Sequence, residues 1–288
     1  MAIIVAILLF AALNLFLSAI TVPMPINDHG TVRYNSFPYA TAGLIFINVV
    51  VFLAFQAPDI IAFVTSERNS IEEFNAFMSY QETIDNYGFR GINLREGYSI
   101  GAFTSFTSMF MHVDFNHLIS NMIFLWAFGR RLEDACGSAR FVIFYLIAGL
   151  VANMGTAILA SASDLSSIGA SGAIFGVMGG YLLLFPFAWM GCIWIPAIVV
   201  RFALRVLVRL IGDKPEGNFR WTLQIPAILV VGLYIGFNVL PTFNTIQSGE
   251  LSEGINYVAH MLGFLSAILI FLFVRKDLLT RYASGRAL

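Results

Sequence analysis

Four polar side chains of types used in acyl transfer lie in otherwise apolar stretches of the chain. They are His117, Asn121, Ser171 and His260. A serine hydroxyl becomes a nucleophile when an adjacent base, usually histidine, removes its proton. The oxyanion of the tetrahedral intermediate then needs hydrogen-bond donors, which an imidazole, a side-chain amide or a backbone N–H can supply. Because His117 and Asn121 are spaced i, i+4, they project from one face of a helix. These residues therefore indicate acyl-transfer chemistry.

The composition predicts that a membrane surrounds these residues. Hydrophobic residues make up 58% of the 288 positions and charged residues 11%, with a mean hydropathy of +0.80. A soluble domain is about 45–50% apolar and about 25% charged, so a soluble globule and a disordered chain are both excluded. The net charge of −1 gives no basic surface for nucleic acid, and the two cysteines provide no disulfide framework.

Seven stretches are apolar enough to cross a bilayer as helices, for which about 20 residues are needed. They are residues 1–20, 39–57, 115–132, 140–161, 169–189, 222–240 and 256–274. We interpret the first as a retained N-terminal helix, with an uncleaved or mis-started leader as the alternative, because no basic residue precedes its apolar run. Residues 21–38, with three prolines, are predicted to be a linker. Residues 58–101 form a polar connection whose apolar side chains could rest on the membrane interface.

The distribution of basic residues orients these helices. Twelve of the 16 basic residues lie in the loops after the third and fifth runs and in the segment after the seventh. Basic short loops stay in the cytoplasm, so the third, fifth and seventh runs enter from the outer face. The four polar residues lie within about two turns of that face, about 5–10 Å below it at about 1.5 Å per residue. Polar groups at such positions are functional candidates because burying them in lipid is costly.

Small residues favour close packing of the fifth and seventh runs. One ridge consists of Gly172, Gly176 and Gly180, and the other of Ala259, Gly263 and Ala267. Each feature also has an ordinary structural explanation. A membrane serine often bonds its own backbone, histidine or asparagine can join two helices, and small-residue ridges serve ordinary packing.

Arg201, Arg205 and Arg209 share one helical face, which suits either anionic headgroups or plain solvation.

Three motifs resemble those of the rhomboid intramembrane serine proteases. Gly169-Ala170-Ser171-Gly172 resembles the family's GxSG motif. His117 and Asn121 resemble its HxxxN motif, and Ala259-His260-Met261-Leu262-Gly263 resembles its AHxxG motif. The order and spacing of the apolar runs also match, so the resemblance covers about residues 36–275.

The resemblance implies an all-α, polytopic membrane protein. Its protease domain would span residues 39–275 with a core of six transmembrane helices. Residues 1–20 would add one N-terminal transmembrane helix, and residues 276–288 would form a cytoplasmic tail. The location implied is the bacterial inner membrane, with the active site near its extracytoplasmic face.

The resemblance also implies the chemistry. Ser171 would be the nucleophile and His260 the general base of a dyad, while His117, Asn121 and the Ser171 amide would stabilise the oxyanion. The supporting positions are Gly169, Gly172, Phe175 and Gly263. Substrates would be transmembrane proteins cleaved in or next to a membrane segment, with no metal or organic cofactor.

The sequence departs from the family pattern in the first long loop and beside the histidine. Residues 58–101 contain no Trp, so the family's Trp-Arg motif is missing. Phe175 stands where some members have Tyr; it can stack on the imidazole but offers no hydroxyl. A mild change is Ala267 in place of the second glycine of a GxxxG motif.

Several alternatives remain open on the sequence alone. A non-catalytic relative could bind membrane helices as a chaperone or degradation adaptor. A transporter is disfavoured because polar residues do not continue across the bilayer. His112, Asp114 and His117 are weak evidence for a metal site, and His112 is interpreted as a supporting or mouth residue. Glu133 is interpreted as a structural cap rather than a catalytic acid.

Overall fold

The computed structural model describes residues 2–28, 37–95, 99–212, 217–251 and 254–271, together with residues 277, 280 and 284. Over these residues the chain is mostly helical, as predicted. Part of the predicted linker, residues 29–36, and nearly all of the predicted tail, residues 276–288, lie outside the described residues.

Each of the seven apolar runs coincides with a helix. In the described part of the chain these helices are α1 (Ala2–Thr21), α2 (Tyr39–Phe55), α7 (Phe115–Cys136), α8 (Ser138–Leu159), α9 (Ser171–Leu184), α11 (Ala227–Ser248) and α12 (Tyr257–Leu269). By length and composition α8 and α11 can each cross a membrane alone, and α2 with the following helix would make a third span bent by 46°. The number of spans, and the role of α1 as an additional one, stay predictions.

The connections contain further helices. The polar stretch after α2 holds α3 (Ala57–Thr65), α4 (Ile71–Tyr87), α5 (Gly91–Arg95), α6 (Ser99–Thr107) and a 3₁₀ turn (Ser108–Phe110), and α10 (Ile195–Leu210) lies between α9 and α11. Arg201 and Arg205 of α10 donate hydrogen bonds to the carbonyls of Thr222 and Gly217. Two of the three arginines on this helical face therefore hold the segment that returns to the core.

A small antiparallel sheet departs from the predicted all-helical fold. Its strands are β1 (Met24–Asp28), β2 (Trp189–Ile193) and β3 (Leu223–Pro226), in the order β1-β2-β3. Strand β1 lies inside the stretch predicted to be a linker. That prediction rested partly on prolines, which disfavour central strands but are tolerated at a sheet edge. Pro25 occupies such an edge strand, where it aligns with Cys192.

Helix α9 forms the centre of the bundle, with α8, α7 and α12 packed around it. Its side chains are buried from Gly172 to Tyr181. Gly176 lies against α12, since a methyl there would be 3.1 Å from the Gly263 carbonyl oxygen. The predicted small-residue ridge shifts at its end. Gly179, not Gly180, faces Ala267, and Gly180 instead faces Phe271, Leu132 and Phe144. Small residues thus allow the backbones of α9 and α12 to come close.

Glu133 ties several helices together at the end of α7 opposite His117. Its carboxylate accepts hydrogen bonds from Ala40 N at 2.9 Å, Thr41 N at 2.8 Å and Ser138 Oγ at 2.6 Å. These groups belong to the first turns of α2 and α8, where backbone N–H groups lack acceptors within the helix. The prediction that Glu133 is a structural cap is confirmed.

Candidate active site

The four predicted residues lie in the first two turns of three helices. Asp114 caps α7 by accepting a hydrogen bond from His117 N at 2.7 Å, and Asn256 caps α12 by accepting one from Ala259 N at 2.9 Å. Ser171 is the first residue of α9. Its own N–H therefore has no acceptor within the helix and lies at the positive end of the helix dipole.

The structure brings Ser171 and His260 into hydrogen-bond contact. Ser171 Oγ lies 2.8 Å from His260 Nε2, so the hydroxyl is directed at the imidazole. Phe175, one turn after Ser171, stacks on the His260 ring with centroids 4.1 Å apart and an interplanar angle of 4°. The predicted stacking of Phe175 is confirmed. Both Ser171 and His260 are partly exposed. Water or a peptide bond could reach the pair only if this were so.

The other ring nitrogen of His260 contacts Asn238 of α11, a residue that the sequence analysis did not predict. His260 Nδ1 lies 2.8 Å from Asn238 Oδ1. A signal was available: Asn238 is an amide near the outer end of the predicted sixth run, and the other four residues are also predicted to lie near the outer ends of their runs. It was missed because α11 carries none of the three motifs.

Gly169 borders both His117 and Ser171. Its φ of +131° is one that side-chain-bearing residues rarely adopt. A methyl group there would lie 3.0 Å from His117 Nε2 and 3.6 Å from Ser171 Oγ. Because His117 Nδ1 accepts a hydrogen bond from Val113 N at 3.4 Å, the ring proton belongs on Nε2. His117 thus presents an N–H donor near Ser171.

Asn121 lies one turn further along α7 and is 7% exposed. Its Nδ2 forms no hydrogen bond with the residues that the structure describes. A buried amide group without a partner is costly, and such a donor is available to an incoming acceptor. An unpartnered amide N–H is a donor of the kind that an oxyanion requires.

The segment leading to Ser171 is fixed by hydrogen bonds from several elements. Gly169 N donates to Ser108 O at 2.8 Å, and Asn153 Nδ2 donates to Ser108 Oγ at 3.0 Å. Asn256 Nδ2 donates to Ser167 Oγ at 2.9 Å. These bonds connect the 3₁₀ turn, α8 and the start of α12 to the loop before Ser171. The loop is therefore held in one geometry by its own contacts.

The start of α7 is held from the end of α2 and from the first long loop. Gln56 and His112 exchange two hydrogen bonds, from Gln56 Nε2 to His112 O at 2.5 Å and from His112 N to Gln56 Oε1 at 3.0 Å. Tyr80 Oη donates to Val113 O at 2.9 Å. Burial, and then the negative charge of Asp114, raise the pKa of Tyr80 to about 12, so it remains a donor at neutral pH.

His112 is fully buried rather than at a mouth, with its ring edge-on to His117 at 5.1 Å between centroids. It is therefore a supporting neighbour of His117. Among the residues described, no three or more His, Cys, Asp or Glu side chains form a group that could hold a metal ion.

Comparison with known proteins agrees with the motifs. A family model described as the Rhomboid domain matches residues 101–277, more than half of the chain. The chain belongs to the rhomboid family. It is accordingly a multi-pass membrane protein, and both Ser171 and His260 fall within the matched rhomboid domain.

Named rhomboid relatives match parts of the chain. It is 34% identical over 125 residues to the putative rhomboid protease YdcA of Bacillus subtilis, covering 41% of this chain and 62% of that protein. It is 38% identical over 161 residues to the rhomboid protease GluP of the same organism, covering 56% and 26%. It is 28% identical over 171 residues to Rhomboid-like protein 11, chloroplastic, of Arabidopsis thaliana, covering 57% and 49%. The matches thus span less than two thirds of each relative.

Proposed function

We propose that this protein is an intramembrane serine endopeptidase that cleaves membrane-anchored proteins in or next to a transmembrane segment. The observation that carries the proposal is the 2.8 Å contact between Ser171 Oγ and His260 Nε2. A serine that only packed a helix would bond its own backbone, as Ser266 does by donating to Gly263 O at 2.6 Å. Ser171 instead pairs with the side chain that can take its proton.

The proposed reaction begins with attack of Ser171 Oγ on the scissile carbonyl carbon while His260 Nε2 accepts the hydroxyl proton. The carbonyl oxygen becomes an oxyanion, and the donors assigned to it are His117 Nε2–H, Asn121 Nδ2–H and Ser171 N–H. His260 then donates its proton to the leaving amine as the C–N bond breaks. Water activated by His260 hydrolyses the remaining ester and restores the serine hydroxyl.

The length of α9 supports a site below the outer membrane surface. Its 14 residues span about 21 Å at about 1.5 Å per residue, whereas the hydrocarbon core is about 30 Å thick. If its C-terminal end reaches the cytoplasmic boundary, Ser171 lies several ångströms inside the outer one. We assign the protein to a bacterial inner membrane with this site towards the extracytoplasmic side, and its substrates to transmembrane proteins.

A fluorophosphonate probe applied to the purified protein in detergent tests the nucleophile. We expect Ser171 to be labelled, Ser171→Ala and His260→Ala each to abolish labelling and proteolysis, and the double variant to lose little more, because the two groups act as a unit. Ser266→Ala is the matched control, since it also removes a membrane serine but should leave labelling unchanged.

Labelling that survives Ser171→Ala would rule out this nucleophile. A folded wild-type protein that is never labelled but still binds transmembrane segments would instead favour the alternative function, a non-catalytic chaperone or degradation adaptor.

A further inference from the structure

Asn238 is a buried amide on a helix that is otherwise largely apolar. It is 5% exposed, while Phe237, Val239 and Leu240 beside it are all exposed. Its Nδ2 donates to Tyr234 O at 2.7 Å. An amide nitrogen only donates and an amide oxygen only accepts, so this bond fixes the orientation of the group. The oxygen is left facing His260 Nδ1 at 2.8 Å.

This contact determines which nitrogen of His260 carries the proton. Because Asn238 Oδ1 can only accept, Nδ1 must be the protonated nitrogen in the neutral imidazole. Nε2 is then an acceptor, as a base for Ser171 Oγ must be. The stack of Phe175 fixes the ring plane. It does not select between the two ring orientations that a half-turn about the Cβ–Cγ bond interconverts, because both lie in that plane. Asn238 distinguishes the two nitrogens.

We propose that Asn238 is a positioning residue that holds His260 in the tautomer and orientation needed to deprotonate Ser171. The proposal rests on the proposed function. It extends the pair of Ser171 and His260 to a line of three residues, each from a different helix: α9, α12 and α11. Asn238 itself does not contact the reacting atoms and acts only through His260.

A second asparagine provides the comparison with a purely structural role. Asn48 of α2 is fully buried, and its Nδ2 donates to Leu44 O at 2.8 Å. It therefore makes the same bond to the carbonyl four residues earlier that Asn238 makes. Only Asn238 adds a bond to the imidazole. Equal substitutions at the two positions separate the loss of an ordinary helix contact from the loss of the His260 contact.

The first experiment measures the rate at which a fluorophosphonate probe labels Ser171 across pH. Asn238→Leu keeps the shape but removes the acceptor, and we expect the rate to fall at least 10-fold at every pH, while Asn48→Leu changes it less than 2-fold. Asn238→Asp keeps an acceptor, so it should recover most of the rate. Its carboxylate stabilises the imidazolium, so the acid limb of the profile should move to higher pH.

The shift of the acid limb can be assigned to residue 238 only if the other titratable groups around His260 are unchanged. The titratable ones are Tyr257 on its own helix, with ring centroids 6.4 Å apart, Ser171 on α9 and His117 on α7. None of them is altered in these variants. Equal losses in Asn238→Leu and Asn48→Leu, or no recovery in Asn238→Asp, would overturn the proposal.

The tautomer can also be observed in the unmodified protein. ¹⁵N spectra of histidine-labelled protein, assigned with His260→Ala, should show protonated Nδ1 in the wild type and the other tautomer in Asn238→Leu. A wild-type His260 protonated on Nε2 would refute the proposal even if Asn238→Leu does not fold. Failure of the proposed function has a different signature, because wild-type labelling would then be absent or independent of Ser171.

Discussion

At the scale of single residues, position 169 needs a glycine for two reasons: its backbone conformation and the lack of space for a side chain. Its φ is +131°, and a methyl group would lie 2.8 Å from His117 Cε1. Gly169→Ala should therefore strain the loop and displace the imidazole assigned to the oxyanion. A displacement of about 1 Å can cost about 100-fold in rate. We expect a loss of that size in the labelling rate of Ser171, measured on folded protein.

Gly254→Ala is the control for backbone strain alone. Gly254 also has a positive φ, +93°, but a methyl there meets nothing within 4 Å. It should lower stability slightly and leave labelling unchanged. If both variants lose labelling equally, the effect comes from general loop strain and the contact with His117 is unimportant.

The sequence shows which residue types form the site, but it does not show in which direction each side chain points. Spacing places His117 and Asn121 on one face of a helix, and motif order pairs Ser171 with His260. Neither reveals how α11 is rotated about its axis. Asn238 could equally have faced another helix, because a single amide in an apolar run has no periodicity that identifies its partner. The contact of Asn238 with His260 is therefore visible only in the folded structure.

At the scale of elements, the contact of α9 with α12 sets the distance between Ser171 and His260. A methyl on Gly263 would overlap the Gly172 carbonyl oxygen, so backbone has to move. We expect Gly263→Ala to lower the unfolding free energy by about 1–3 kcal/mol, the usual cost of overpacking, and to reduce labelling of Ser171. Thermal unfolding in detergent measures the first effect and probe labelling the second.

Gly236→Ala in α11 is the matched control, because a methyl there meets nothing within 4 Å. Alanine is the better helix former by about 0.5–1 kcal/mol, so this variant should be neutral or slightly stabilised. A Gly263→Ala protein as stable and as reactive as Gly236→Ala would show that α9 and α12 need no close backbone approach.

The helices were easier to predict from the sequence than the short elements between them. Long apolar runs have one stable form in lipid, so the positions of α8 and α12 follow from composition. Strand β1 has only five residues, one of them a proline, and it forms because β2, far along the chain, supplies its partner. Such long-range pairing leaves no local pattern. The arginines of α10 likewise contact carbonyls of a later segment, which helical spacing does not reveal.

At the scale of the whole molecule, an ion pair joins the sheet to the helical core. Arg131 Nη1 of α7 lies 3.1 Å from Asp28 Oδ2 of β1, and the Asp28 side chain is only 4% exposed. Arg131 also lies over the Phe185 ring, 4.0 Å from its centroid. The sequence predicted a basic cytoplasmic loop here. It did not predict the partner, because Asp28 lay in the presumed linker.

Asp28→Asn should destabilise the fold while sparing the chemistry. Removing one partner of a buried ion pair costs about 3–5 kcal/mol because the other charge stays unpaired. Arg131 lies about 20 Å along α7 from His117 at about 1.5 Å per residue, so folded Asp28→Asn protein should be labelled at the wild-type rate.

The double variant with Arg131→Gln should be less destabilised than the two single effects summed. Arg130→Gln is the control, since Arg130 contacts Trp126 of its own helix. A melting temperature for Asp28→Asn no lower than that of Arg130→Gln would mean that the sheet is held to the bundle without this pair.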